Sequence, residues 1–131
     1  MRVIVKKPNE PAEFVDVEFK YRGECAELIS EGIITEFVGI TDGFVMMVDE
    51  DGLGKQLPLN FFISTNNPFC PVQVIVGTVV FCRFQWEDAW QKELWDYELR
   101  DATEEDMAAV EQMLGERLQE ELKWRYLRRG R

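Results

Sequence analysis

The sequence contains no histidine. That absence excludes Ser-His-Asp and Cys-His catalysis, histidine-ligated metals and the usual general base near neutral pH. Carboxylate or lysine catalysis stays open, as does an all-carboxylate magnesium site. Cysteine is scarce: Cys25, Cys70 and Cys82 are an odd number, contain no CxxC, and sit among apolar neighbours or in strand-like runs. A disulfide framework or a zinc site needs closer or paired spacing, so the expectation is buried, inert, reduced thiols that ligate no metal. Long apolar runs are missing too. The longest, residues 44–48, falls far short of the roughly 20 residues needed to cross a bilayer. Residues 1–7 have no signal-peptide core, because lysines interrupt them after three apolar positions. Together these absences predict a soluble, cytoplasmic protein with no cofactor.

What is present is the composition of a globular chain. The length of 131 residues suits one domain, and 46% hydrophobic with 31% charged residues is enough apolar material for a core. The net charge of −10 disfavours binding to a phosphate backbone. That charge is uneven. Residues 1–100 carry nine basic and seventeen acidic side chains, residues 101–122 one and eight, and the tail 123–131 five basic and no acidic ones. The expected organisation is a single domain, with a sheet-rich part over 1–100 and a C-terminal helix and basic tail over 101–131.

Hydropathy patterns give the elements. Residues 2–7 and 13–19 read as strands, the second alternating Val15, Val17 and Phe19 against Asp16 and Glu18. Residues 24–31 read as a short helix stopped by Gly32. Asp42-Gly43 between the β-rich runs 33–40 and 44–48 predicts a hairpin, and the wholly apolar second run predicts a strand covered on both faces. Asp49-Glu50-Asp51-Gly52 reads as a solvated turn. Residues 52–71 show no clean period and are expected to form a long irregular loop. Residues 72–84 alternate throughout and predict one central strand, with Gly77 marking a bulge or a close backbone approach. Residues 85–100 are ambiguous between helix and strand and are read as a short helix or extended arm followed by a strand-like 95–99. Thr103 is placed as an N-cap that Asp106 closes into a box. Met107, Val110, Leu114, Leu118 and Leu122 then recur at helical spacing. The stripe stays in phase across Gly115, so one continuous helix is expected over 106–128. The fold class predicted is α+β: a mostly antiparallel sheet of about five strands, with a short helix and a long C-terminal amphipathic helix.

Three groups of residues stand out as candidate binding positions. Trp86, Trp90 and Trp95 lie within ten residues and suit either the core, an interface or the stacking of a planar ligand. Asn60 offers an amide on the constrained backbone of the 52–71 segment, although asparagine also suits plain turn chemistry. In the tail, Trp124 and Tyr126 alternate with Arg125, Arg128 and Arg129. Bases at a helix C-terminus offset the macrodipole, and Glu121–Arg125 is a favourable i,i+4 pair. Neither effect explains the interleaved aromatics, which suit contact with an acidic protein surface or with nucleic acid.

The chain also resembles a family. The residues that carry the resemblance are the opening Val3-Ile4-Val5 strand with prolines after it, Glu31-Gly32-Ile33-Ile34, Asp42-Gly43 with the run to Gly52, Leu57-Pro58-Leu59-Asn60, Ile75-Val76-Gly77-Thr78-Val79-Val80, and Asp101-Ala102-Thr103-Glu104-Glu105-Asp106 opening a helix. Over roughly residues 1–115 this is similar to a family of small uncharacterised proteins, a domain of unknown function, encoded on bacterial phages, plasmids and integrative mobile elements. The resemblance implies a setting, an accessory gene of a mobile element in bacterial cytoplasm, and carries over no catalytic residue.

The functional expectation is accordingly a non-enzymatic interaction protein, a regulator or inhibitor of a host system, with a protein partner that is either a host protein or a second copy paired through the C-terminal helix. Two alternatives stay open. One is an acidic DNA mimic of the anti-restriction kind. The other is a small-ligand or nucleotide binder using the 52–71 segment and the tryptophans.

Overall fold

The computed structural model describes residues 1–18, 22–29, 35–41, 43–49, 52–65, 67–84 and 98–129. Among them the elements run β1 (Arg2–Lys6), β2 (Glu13–Asp16), a 3₁₀ helix (Arg22–Leu28), β3 (Thr35–Thr41), β4 (Phe44–Asp49), β5 (Leu59–Ser64), β6 (Val72–Val76), β7 (Val79–Phe84), β8 (Leu99–Arg100), α1 (Glu104–Met113) and α2 (Glu116–Arg129). The fold is α+β. Five strands form an antiparallel sheet in the order β2-β1-β7-β4-β3, and β8 joins it by pairing with β7 beyond the residues that β1 covers. β5 and β6 form a separate antiparallel hairpin.

Alternation along the central strands sorts the core into layers. Val80, Cys82 and Phe84 of β7 point to one face with Val3, Val5, Val45 and Met47, where Cys25 and Ile29 of the 3₁₀ segment cover them. Val79 and Phe81 point to the other face with Ile4, Phe44 and Met46, and there Phe61, Ile63 and Ile75 of the hairpin and Met107 and Val110 of α1 close the layer. Phe81 is the centre of that second layer, stacked on Phe44 at 6.1 Å and on Phe61 at 6.4 Å between centroids. Burying each such ring stabilises the fold by about 1.5–3 kcal/mol. A third, smaller cluster lies outside the hairpin, where Phe62 and Val72 meet Leu122 of α2.

Residues 72–84 are two strands rather than the single one their alternation predicts. The chain folds over at Gly77, whose φ of 75° is in the left-handed region. The odd positions Ile75, Val79 and Phe81 therefore face the same layer from opposite sides, while even positions of β6 turn out toward α2 and those of β7 toward the 3₁₀ helix. The period of two is preserved on both sides of the turn, which is why the pattern alone did not reveal it. The 52–71 segment is corrected as well: it contains β5, whose Phe61, Phe62 and Ile63 are all buried. Its mixed orientation follows from a bulge between Leu59 and Phe61. Asp49 is no solvated turn residue, since its side chain is buried and accepts a hydrogen bond from Lys55 Nζ at 2.8 Å. Of the other expectations, the hairpin at Gly43 (φ 77°), the covered β4 and the central place of β7 hold. Gly32 and most of the ambiguous 85–100 segment fall outside the described residues. No helix among the described residues is long and apolar enough to cross a membrane.

Replacing Gly77 tests the turn. An alanine Cβ there would lie 2.8 Å from Leu57 Cδ1, which can rotate away, but the left-handed backbone strain stays. Gly77→Ala is expected to cost about 1–2 kcal/mol, read as a lowered midpoint in thermal or urea unfolding.

Candidate functional site

The C-terminal segment is built outward from its anchor on β7. Thr103 caps α1: its Oγ1 accepts from the Asp106 backbone N–H at 3.0 Å, and the Asp106 carboxylate accepts from the Thr103 N–H at 2.9 Å. The same carboxylate receives Arg83 through Nε at 2.8 Å and an Nη at 2.6 Å, a bidentate pair that fixes α1 to the central strand. Burial pushes the Asp106 carboxyl up, but the hydrogen bonds from Arg83 and Thr103 outweigh it and hold the group below the ordinary carboxylate range. The box and the i,i+4 pair Glu121–Arg125 (2.6 Å) are both as the sequence predicts.

The single long helix is not. α1 ends at Met113, and α2 starts afresh at Glu116 after Leu114 and Gly115. The two helices serve different layers, α1 the core between sheet and hairpin and α2 the outer side of the hairpin, which one straight rod does not reach. Glycine at the junction lowers the cost of the break. Gln119 then locks α2 in place. Its Oε1 accepts from the Phe62 N–H at 2.8 Å, and its Nε2 donates to the Phe62 carbonyl and to the Met113 carbonyl, both at 2.9 Å. One side-chain amide thus completes the edge of β5 as a neighbouring strand would, and also satisfies a carbonyl at the end of α1.

This seating decides which way the tail residues face. Leu122 is 3% exposed against Phe62 and Val72, and Tyr126 stands over the Phe62 ring at 5.4 Å. Trp124 comes two residues after Leu122, about 200° around a helix of 3.6 residues per turn, and so points away from the domain. It is 61% exposed, and Leu127 beside it 55%. The apolar residues of the tail therefore divide: Tyr126 belongs to the inner face, Trp124 and Leu127 to the outer. Arg125 is exposed and paired with Glu121, Arg128 is exposed, and Arg129 is the last residue of α2.

Two hollows flank α2. A groove of about 870 Å³ runs between it and β1, lined by Lys6, Asn60, Glu116, Gln119, Glu120 and Lys123. Asn60, a candidate from the sequence, lies in it but is held internally: Nδ2 donates to the Lys6 and Gly77 carbonyls at 2.8 and 2.7 Å, and Oδ1 accepts from Lys6 Nζ at 2.8 Å. Lys6 Nζ also donates to the Lys7 carbonyl at 2.7 Å. Burial lowers the Lys6 pKa, and the nearby Glu10 opposes that only in part. The groove's two amides are thus joints between elements rather than open ligand contacts. On the other side a cleft of about 480 Å³ lies between Leu53, the Thr65–Cys70 loop and Tyr126, with Phe69 89% exposed nearby.

Trp86, Trp90 and Trp95, candidates from the sequence, fall outside the described residues. Sequence reasoning missed Gln119, whose partners are 57 and six positions away, and passed over Phe69, an isolated aromatic between Pro68 and Cys70. The three cysteines form no disulfide with one another; Cys25 and Cys82 are buried and Cys70 is half-buried.

Two measurements probe this scaffold. Gln119→Ala leaves both backbone groups of Phe62 without their partner, so a loss of about 1–3 kcal/mol is expected, with faster hydrogen exchange at the Phe62 amide. Asp106→Asn is expected to cost about 2–3 kcal/mol at neutral pH. Because the folded pKa of Asp106 is depressed, its contribution is present above about pH 4 and is lost as the pH falls through the lower folded value. The stability gap between the native chain and Asp106→Asn should therefore narrow in acid, as followed by urea unfolding at several pH values.

Comparison with models of protein families, with curated proteins and with solved structures brings no match, so what α2 and its surroundings do is read from their own residues.

Proposed function

We propose that this chain is a non-enzymatic interaction protein of a bacterial phage or mobile element, acting in the cytoplasm as a regulator or inhibitor of a host system, and that it binds a protein partner through the outer face of α2. One observation carries the reading. Trp124 and Leu127 are large exposed apolar side chains on the face of α2 opposite Leu122, and none of the buried clusters among the described residues includes them. A helix needs one apolar stripe to dock on its own domain, and Leu122 with Tyr126 already supplies it. A second apolar strip, flanked by charge, is the usual composition of a protein contact, with an aromatic anchor at its centre. The sequence supports the non-enzymatic part, since it contains no histidine. The mobile-element setting rests on the family resemblance alone.

The test is the double variant Trp124→Ser, Leu127→Ser. Both side chains are exposed, so unfolding midpoints should stay within about 0.5 kcal/mol of the native chain. The partner of this face, a host protein or a second copy of the chain, should bind the native chain directly once purified, and the double variant should lose at least about tenfold in affinity. Equal binding by both proteins would remove α2 from the contact.

A further inference from the structure

The order of charges along the outer face of α2 says more than that a partner exists. From its start the face carries Arg117, Glu120, Trp124, Leu127 and Arg128, all exposed. Around them, the first half of the helix is acidic on balance, with Glu116, Glu120 and Glu121 against the single base Arg117, and the second half is basic, with Lys123, Arg125 and Arg128. A uniformly acidic partner would face repulsion from the first half, and so would nucleic acid or an anionic bilayer. The surface that matches has bases first and acids second along the same direction. The same helix turned end for end is such a surface.

We infer that the partner of this face is a second copy of the chain, with the two α2 helices packed antiparallel across a two-fold axis at Trp124. The spacing gives the register. Glu120 and Arg128 stand four residues before and after Trp124, each about one helical turn from it and both exposed, with Glu120 at the rim where the outward side meets the groove beside β1. A two-fold axis through Trp124 then sets Glu120 of one copy beside Arg128 of the other, and does so twice. The two Trp124 rings meet at the centre, with Leu127 flanking them in each copy. The inner face of α2 is seated on its own hairpin through Leu122 and Gln119, so pairing through the outer face sets the two hairpins on opposite sides of the helix pair. The helix dipoles also run opposed. A 14-residue helix is only about 21 Å long at about 1.5 Å per residue, which makes this a contact at the small end of specific interfaces. Association is therefore expected at micromolar concentrations. This inference rests on the proposed docking role of the outer face and names its occupant.

Charge exchange tests it with a pattern that loss of folding cannot imitate. In sedimentation equilibrium the full chain should pass from monomer to dimer across the micromolar range, and Trp124→Ser should stay monomeric. Glu120→Arg alone and Arg128→Glu alone each place like charges together at two symmetric points, and each should weaken the dimer by at least about tenfold. The double variant Glu120→Arg, Arg128→Glu restores opposite charges at both points and should return to within about threefold of the native dimer constant. Circular dichroism of each variant checks that the fold is kept. A native chain that is monomeric up to the solubility limit overturns the inference, and so does a double variant no better than the single ones. A monomeric chain whose Trp124→Ser, Leu127→Ser variant loses a purified host protein keeps the docking face and rejects the second copy alone. A monomeric chain that binds a labelled oligonucleotide or anionic lipid vesicles through Arg128 rejects it in favour of those partners.

Discussion

At Gly77 the chain leaves the hairpin and enters the central sheet, with φ at 75° and its carbonyl held by Asn60 Nδ2 at 2.7 Å. Its own N–H donates to the Pro58 carbonyl at 2.8 Å, so both backbone groups of the turn are satisfied within the hairpin's base. Because β6 folds back at this point, the hairpin lies over the sheet instead of extending it. One face of the hairpin then supplies Phe61, Ile63 and Ile75 to the core, and the other is left apolar through Phe62, Val72 and Val74. α2 covers that second face. The outward direction of Trp124 follows from the seating of Leu122, and so in turn from the glycine more than forty positions earlier.

Polar groups inside this arrangement act as substitutes for backbone. Asn60 ties β5 to the end of β1 and to the turn, and Gln119 ties α2 to β5 and to the end of α1. Each is a neutral amide with donors and acceptor all engaged, which avoids the penalty of a buried polar group left unpaired. The charged counterpart is Arg83–Asp106, where one carboxylate serves both a helix cap and a bidentate ion pair. Desolvating a carboxylate is costly, and here three hydrogen bonds offset it. These joints connect elements that hydrophobic contact alone would leave free to slide.

Much of this was legible in the residues, and where it was not the reasons are physical. The alternation in Val79–Phe84, the apolar run of β4 and the Thr103–Asp106 box are local signals, and each named its element correctly. Gly77 was marked as a close approach, yet a fold-back that keeps the period of two in phase looks the same in sequence as a straight strand. Gly115 posed the same ambiguity in helical form, because Leu114, Leu118 and Leu122 stay in phase across a break. β5 was hidden by its setting, a short apolar run between Pro58 and an Asn- and Pro-rich loop, with a bulge that spoils its period. Asn60 reaches partners 17 and 54 positions away and Gln119 reaches Phe62 across 57, distances at which spacing carries no information. At the candidate site, the basic-aromatic tail was visible, but which of its aromatics turn outward depended on the break at Gly115.

The strand edge closed by Gln119 has a consequence for how the chain is made. Phe62 precedes its partner by 57 positions. At a synthesis rate of about 5–20 residues per second, the β5 edge waits roughly 3–11 s for the amide that covers it. Once β6 has been made as far as Val76, a hairpin that pairs before Gln119 is made would present an open outer row of N–H and C=O groups, the kind of template to which other unfinished chains add. Protection of this edge thus depends on the order of synthesis as well as on geometry, because the residue that closes it lies in the last helix of the chain's described residues.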